Sequence, residues 1–475
     1  MNPTKSSRTV GLQSLREHDA CGVGFIACAT GERSHTVVKM ALQALGRVAH
    51  RGAASTDNSG DGAGLLTQIP TRFFYREGYR LGLGIQPGFP FAVGAFFLPR
   101  EASALAAAIA LIERVAFQNG LPLLGWRDVP MEPAALGPLA RQTCPVIRQV
   151  FLGRPAVDDD DAWERVLYLA RRDIEREARA RGLNDLYVCS LSCRTIVYKA
   201  LLVGTQLATF YTDLRFPEFE TAIAVFHQRY STNTLPSWPL AQPFRMIAHN
   251  GEINTLWGNR NAMTAREADL GSPVWGNNIE RLKPVIWPEG SDSAGFDNTM
   301  ELLVRSGRTP MHTIMMLVPQ AWEQYPDVEP AIRDFYRFHA EVVEPWDGPA
   351  ALAFSDGIVA GAATDRNGLR PCRYKVTRDQ FVVAGSEVGL VDLDPADVLE
   401  SGKLGPCEFL VVDVTRGQVL RNMDVKREVA SRQPYGRWAR ENLRLLLPIS
   451  PPSPNRRNPG RWFPIRSASV TATRT

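Results

Sequence analysis

Residues 22–28, GVGFIAC, alternate in the manner of a β-strand. After them, apolar side chains at 37, 38, 41, 42, 45, 48 and 49 recur at helical spacing, so TVVKMALQALGRVAHRG is expected to be a helix ending at Arg51-Gly52. A glycine-rich loop, STDNSGDGAG, leads into strand-like LLTQI and then FAVGAFFL. An alanine-rich helix is expected from Glu101 to about Gln118, and a long charged amphipathic helix over residues 160–181. Short β-like runs follow at 186–191, 195–203 and 221–230. From residue 350 onward the pattern is strand after strand: AALAFS, GIVAGAAT, RYKVT, QFVVAGS and FLVVDV. Strands framing helical regions imply an α+β fold built on packed sheets, with no internal repeat.

Composition adds bounds to this pattern. A chain of 475 residues with 44% hydrophobic and 22% charged residues has ample material for a large core. Its net charge of +4 is small, and much of the excess lies in the arginine-rich end after Arg421, so nucleic acid is not an expected partner. The seven cysteines, at 21, 28, 144, 189, 193, 372 and 407, lack paired spacing and read as reduced thiols of a cytoplasmic protein. No apolar run reaches the roughly 18 residues of a membrane span, so no membrane association is expected. Residues 1–20 are polar and lack the apolar stretch of a secretory signal. Residues 434–475 are rich in proline, serine and arginine without periodicity, which fits a disordered tail or a lost reading frame.

Several stretches could carry chemistry. The loop at 57–62 imitates a calcium site, but Gln68 stands where a bidentate Glu is required, and no Gly-Lys-Ser/Thr follows to make a phosphate loop. A glycine-permitted turn beside a ligand fits better. Cys189 and Cys193 lack a second pair or a histidine cluster, so buried thiols are expected there rather than zinc, and no metal site is expected anywhere in the chain.

The densest block is residues 225–263, VFHQRYSTNTLPSWPLAQPFRMIAHNGEINTLWGNRNAM. An arginine there can hold a carboxylate bidentately, and an Asn side chain beside a Gly N–H can form an oxyanion hole. The plainer alternative is a strand, an irregular loop and a helix start. In GSDSAGFDNTMELLV, residues 290–304, Asp292 and Asp297 flank a helix start, where either could be an N-cap or could hold an ammonium group. Cys21, in EHDACGVGF, is either an ordinary thiol before a strand or the first residue of a processed enzyme.

Taken together, EHDACGVGF, HRGAASTDNSGDGAG, the block from His227 to Met263, GSDSAGFDN and DRNGLRPCRY resemble the class II glutamine amidotransferases, which are N-terminal-nucleophile hydrolases. Over about residues 15–435 the likeness is to the amidotransferase portion of the glutamate synthase large subunit. TLPSWPLAQPFRMIAHNGEINT sets it apart from the purine- and hexosamine-pathway members. The resemblance implies a four-layer αββα fold with insertions over residues 21–433, preceded by a propeptide at 1–20.

It also implies that removal of residues 1–20 leaves Cys21 with a thiol and a free α-amine. An α-amine with a reference pKa of about 7.7–8.0 can serve as the base for its own thiol. The thiolate attacks the side-chain amide of L-glutamine, ammonia leaves, and water releases glutamate from the thioester. By the same resemblance Arg229 and Thr232 hold the α-carboxylate and Asp292 the α-ammonium. Asn250 and Gly251 form the oxyanion hole, and Arg51 orients the nucleophile loop. His227 and His249 are expected to be structural. Complete large subunits are much longer, so FMN and an iron–sulfur cluster are expected only in the missing synthase region. The chain's own partners would be glutamine and a synthase subunit or glutamate synthase small subunit. Ammonia for another acceptor, or an inactive truncated fragment, are the alternatives.

Overall fold

A computed structural model describes residues 21–52, 59–229, 235–324 and 327–443. The first strand, β1 (Gly22–Cys28), runs into helix α1 (His35–Arg47), which stops four residues before the expected end; Ala49–Arg51 is a separate 3₁₀ turn. Next come β2 (Ala63–Gln68), α2 (Thr71–Leu81), β3 (Phe91–Leu98) and α3 (Ala102–Gln118). The Glu101 side chain caps α3 by accepting from the backbone N–H groups of Ser103 and Ala104. Then follow β4 (Leu123–Asp128), α4 (Pro138–Gln142), β5 (Val146–Gly153) and α5 (Asp160–Ala180), with Asp159 as N-cap. The chain continues through β6 (Tyr187–Ser192), β7 (Thr195–Ala200), α6 (Leu207–Phe210), β8 (Ile223–Gln228) and β9 (Ile247–Gly251). Helices α7 (Leu256–Glu267), α8 (Asp292–Arg305), α9 (Pro310–Leu317) and α10 (Pro330–His339) come next. The C-terminal strands are β10 (Ala350–Ser355), β11 (Val359–Thr364), β12 (Arg373–Thr377), β13 (Phe381–Gly385), β14 (Val398–Lys403), β15 (Phe409–Asp413) and β16 (Gln418–Arg421). Helices α11 (Asn422–Ala430) and α12 (Tyr435–Asn442) are the last elements among the described residues.

These strands form a seven-stranded sheet, β14-β12-β13-β1-β8-β2-β7, a five-stranded sheet, β16-β15-β11-β10-β9, and a four-stranded sheet, β4-β5-β3-β6. The first two pack face to face, with β1 and β8 lying against β9, β10 and β11. Period-two alternation sorts the side chains: Ala353, Ala360, Ala362, Leu410 and Val412 point between the sheets. Their neighbours Leu352, Phe354, Val359 and Val411 face α8, α9 and α11 on the far side. Helix α1 covers the outer face of the seven-stranded sheet. The result is the α/β/β/α layering expected from the resemblance.

The four-stranded sheet is an addition to that frame. Along β3, Val93, Ala95 and Phe97 join the main core, whereas Ala92, Phe96 and Leu98 face α3 and α5. The charged face of α5 is buried: Arg171 pairs with Glu301 at 2.5 Å and Arg245 with Glu175 at 3.0 Å. Burial alone would raise Glu175, but Arg171, Arg245 and Arg172 hold it down at about 2.

The boundary expected at 433 falls too early. Residues 435–442 are helical, and Tyr435, 3% exposed, is buried against Phe335, Phe338 and His339. Trp438 packs on Phe338 and Ala439 is buried beside it, so α12 is docked although the composition of the tail concealed it. Residues 1–20 and the tail beyond Leu443 lie outside the described residues. Among the described residues no helix is long and apolar enough to cross a membrane.

Candidate active site

Cys21 sits at the start of β1, the centre of the larger sheet, and is half-buried. On one side β1 pairs with β8 in the register Gly22↔Gln228, which sets Arg229 opposite Cys21. Arg229 is 5% exposed; its backbone N–H donates to Gly62 O at 2.8 Å and its Nη1 to Asp61 O at 3.4 Å. Burial lowers its pKa, while the charges of Cys21, Asp61 and Asp292 pull the other way, so these groups share one electrostatic neighbourhood.

On the other side β1 pairs with β13, and Ser386 continues the ladder: its N–H donates to Val23 O at 2.9 Å and its Oγ accepts from Val23 N–H at 3.2 Å. The next residue, Glu387, receives the Nε of Arg51 and, at 2.9 Å, the Nε2 of His50. Arg51 is thus tied to the edge of β1 opposite Arg229.

The second sheet brings Asn250 and Gly251, at the end of β9, opposite Ala351 and Ala350 of β10. Asn250 is 1% exposed, and neither its Oδ1 nor its Nδ2 has a hydrogen-bond partner. A buried amide with two idle polar atoms is costly unless a ligand completes it. Gly251 has φ 136°, and a Cβ there would lie 1.7 Å from the Pro349 carbonyl oxygen. Only glycine fits, which is the physical content of the HNG triplet. His227 Nε2 meets the His249 carbonyl at 3.0 Å and stitches β8 to β9 across the two sheets. Burial pushes His227 down to about 3 and lowers His249; the structural role expected of His227 is visible in this contact, in which His249 takes part through its backbone.

Asp292 opens α8 but is not its cap. Ser291 caps, its Oγ accepting from Ala294 N–H at 3.2 Å. Asp292 instead accepts from Ile253 N–H at 2.9 Å and Ser293 N–H at 2.7 Å. Asp297 is not a cap either. It is wholly buried and accepts from the N–H groups of Met246 and Ile247 at 2.8 and 3.2 Å, fastening α8 to the start of β9. Burial, against the pull of Arg245, pushes it up to about 6.

Cys21, Arg229 and Asp292 thus share one electrostatic neighbourhood, Asn250 and Gly251 end a strand packed against β1, and Arg51 is tied to Glu387, the residue after Ser386. Thr232 lies outside the described residues, as do residues 53–58 of the glycine loop. Of that loop, Gly62 turns with φ 128°, beside Arg229. Gln68 is structural: its side chain bridges Gly357 O and Ala222 N–H. Cys189 is buried as expected, whereas Cys193 is half-buried in the β6–β7 turn and donates to Glu164. Among the described residues no three His, Cys, Asp or Glu side chains converge to hold a metal.

Sequence reasoning missed two supports. Glu387 has no local motif, because its partner Arg51 is 336 residues away. Gln242 accepts from His249 N–H at 2.9 Å and donates to Ser293 Oγ at 3.2 Å, linking β9 to α8. Its position inside the dense block was the available signal.

A family model described as "Glutamine amidotransferases class-II" matches residues 21–438. A chloroplastic ferredoxin-dependent glutamate synthase of Oryza sativa subsp. japonica is 45% identical over 441 residues, covering 92% of this chain and 27% of its own length. The glutamate synthase [NADPH] large chain of Azospirillum brasilense is 43% identical over 431 residues, covering 90% of this chain and 28% of its own. The chain thus spans little more than a quarter of the curated relatives it matches. Among solved structures, the glutamine phosphoribosylpyrophosphate amidotransferase of B. subtilis overlaps 70% of this chain and 49% of its own at 14% identity, with a TM-score of 0.29.

Proposed function

The chain belongs to the class-II glutamine amidotransferases, and from that premise we propose that it hydrolyses L-glutamine to glutamate and ammonia through a thioester on Cys21. The observation that carries this reading is Asn250, a buried amide with both polar atoms idle, next to a glycine that no other residue can replace. It belongs to β9, a strand packed against the one that Cys21 begins.

In this reading, cleavage after Ala20 frees the α-amine of Cys21, and the amine takes the thiol proton. The thiolate adds to the side-chain carbonyl carbon of glutamine. The resulting oxyanion accepts hydrogen bonds from Asn250 Nδ2 and the Gly251 N–H, donors fixed before the charge develops. The tetrahedral intermediate collapses, the nitrogen leaves as ammonia with the proton returned by the amine, and water then hydrolyses the thioester. Arg229 holds the substrate α-carboxylate with Thr232 beside it, Asp292 holds the α-ammonium, and Arg51 steadies the start of β1 through Glu387.

The relatives' names support a further assignment: the ammonia serves glutamate biosynthesis by transfer to 2-oxoglutarate. In this reading FMN and an iron–sulfur cluster act only in the synthase region of the family, and the partner that uses the ammonia is a synthase subunit or the glutamate synthase small subunit. Autocatalytic processing and a cytoplasmic location belong to the same reading, the latter supported by free thiols at all seven cysteines.

Intact mass and N-terminal sequencing of the purified protein test maturation, and ammonia release from glutamine tests activity. The expected protein begins at Cys21 and loses all hydrolysis in Cys21→Ala while keeping its thermal midpoint. Wild-type turnover in Cys21→Ala would remove Cys21 from the mechanism.

A further inference from the structure

At the end of α8 remote from Asp292, six arginines line one cavity of about 420 Å³. They are Arg165 on α5, Arg194 in the β6–β7 turn, Arg305 at the close of α8, Arg308 before α9, Arg416 after β15 and Arg432 after α11. Four are matched by carboxylates: Arg194 by Asp161 at 2.6 Å, Arg305 by Glu164 at 2.8 Å, and Arg416 by Asp413 at 2.6 Å. Arg432 shares Glu428 with Arg416, each at 3.1 Å. The remaining lining carboxylate, Asp356, is turned to the N–H groups of Ile358 and Val359.

Arg165 and Arg308 have no ion-pair partner among the described residues. Arg308 is the telling one. Its Nε is buried without a partner, and burial lowers its basicity. Arg308 is half-buried, and a guanidinium partly withdrawn from water with no ion-pair partner is unfavourable; the chain could have avoided it with any neutral side chain. The planar fork of arginine matches an oxyanion with two parallel N–H bonds. The rest of the wall includes apolar Val304, Met311 and Ile358, and the volume exceeds what one oxyanion fills.

We propose that this cavity binds the phosphate group of a small organic phosphate, with Arg308 and Arg165 as its counter-ions. The site is separate from the glutamine cleft: Asp292 and Arg305 stand at opposite ends of the fourteen-residue α8, about 20 Å apart at the usual helical rise. Binding therefore leaves glutamine access open, and the proposal stands or falls independently of hydrolysis.

The test uses the full chain, its thermal midpoint and calorimetric titration with inorganic phosphate, phenyl phosphate and succinate, at ionic strength matched with chloride. The expected result is a rise in midpoint with inorganic phosphate, a larger one with phenyl phosphate, and none with succinate. Equal rises with the two phosphates would assign the site to free phosphate. In Arg308→Gln the unliganded midpoint should not fall, because the residue lost has no counter-ion, while phosphate affinity drops roughly tenfold or more, the loss of about one charged hydrogen-bonding group. Arg165→Gln provides the same comparison if Arg308→Gln does not fold. The proposal is overturned by no response beyond chloride, by an equal response to succinate, by unchanged phosphate affinity in the variants, or by displacement of phosphate by glutamine.

Discussion

Asn250 bears two burdens at the scale of a single residue. It completes β9, where its backbone sits opposite Ala351, and it carries a side-chain amide with no partner in a place water hardly reaches. In the proposed reaction that idle N–H is one of two donors to the oxyanion, so it strengthens its hold as charge develops. Asn250→Ala is expected to lower kcat for glutamine hydrolysis by about 10²–10³, some 3–4 kcal/mol, with a much smaller change in KM. A change confined to KM would reassign the residue to substrate binding. The sequence displayed this position openly, because Asn next to an irreplaceable Gly is a local pattern. It could not display Glu387, which acquires its role only when Arg51 arrives from the far end of the chain.

At the scale of elements, docking of α12 onto α10 depends on a pair of neutral histidines. His339 Nδ1 donates to the Phe335 carbonyl at 2.8 Å, which leaves its Nε2 to accept from His312 Nε2 at 3.1 Å. Tyr435 of α12 packs on both rings. Burial pushes His312 to about 3 and His339 to about 4, and Arg308 adds to both shifts. Both folded values lie below the ordinary imidazole value of about 6.5, so the unfolded chain takes up protons first. Their contribution is complete above pH 6.5 and is lost as pH falls toward 4. The thermal midpoint should therefore drop between pH 7.5 and 5, with early loss of amide protection in residues 435–442. Replacing both histidines by Phe should flatten that slope, leaving the part due to buried His227 and His249. An unchanged slope would show that the pair does not titrate in this range. Nothing in the sequence pattern announces this contact, since the tail's composition pointed to disorder and the two histidines lie 27 residues apart.

For the whole molecule, the question is how a third sheet is held to the two that form the site. Arg127 on β4 grips Asp213 with two bonds of 2.7 Å and also reaches Glu77 of α2 at 3.0 Å. Tyr198 of β7 donates to the same aspartate at 2.8 Å, and Gln149 of β5 donates to Tyr198 at 2.9 Å. Burial opposes the charge on Arg127, yet its partners raise its pKa overall, and they lower that of Glu77. Removing one member leaves uncompensated charge in the core, so Arg127→Leu should cost about 3–5 kcal/mol, read as a lower denaturant midpoint. A loss below 1 kcal/mol would show that the network relaxes into water.

By itself, the sequence determined most of the strands and the helices α1, α3 and α5, while β4, β5, β9, β14 and β16 and most of the other helices were not legible in it. Alternation in β1, the apolar runs of β3 and β10, helical spacing in α1 and α5, and the compact HNG and SDS motifs are set by neighbours along the chain. The family resemblance supplied the face-to-face sheets; the pattern alone reached only a mixed α and β fold. Tertiary structure decided which charges were buried and what answered them. It sent the polar face of α5 inward against Glu301 and Arg245, passed the cap of α8 from Asp292 to Ser291, and left Arg308 facing a cavity without a counter-ion. Burial and ion pairing depend on residues tens to hundreds of positions apart, and a linear pattern holds no record of which of them will meet.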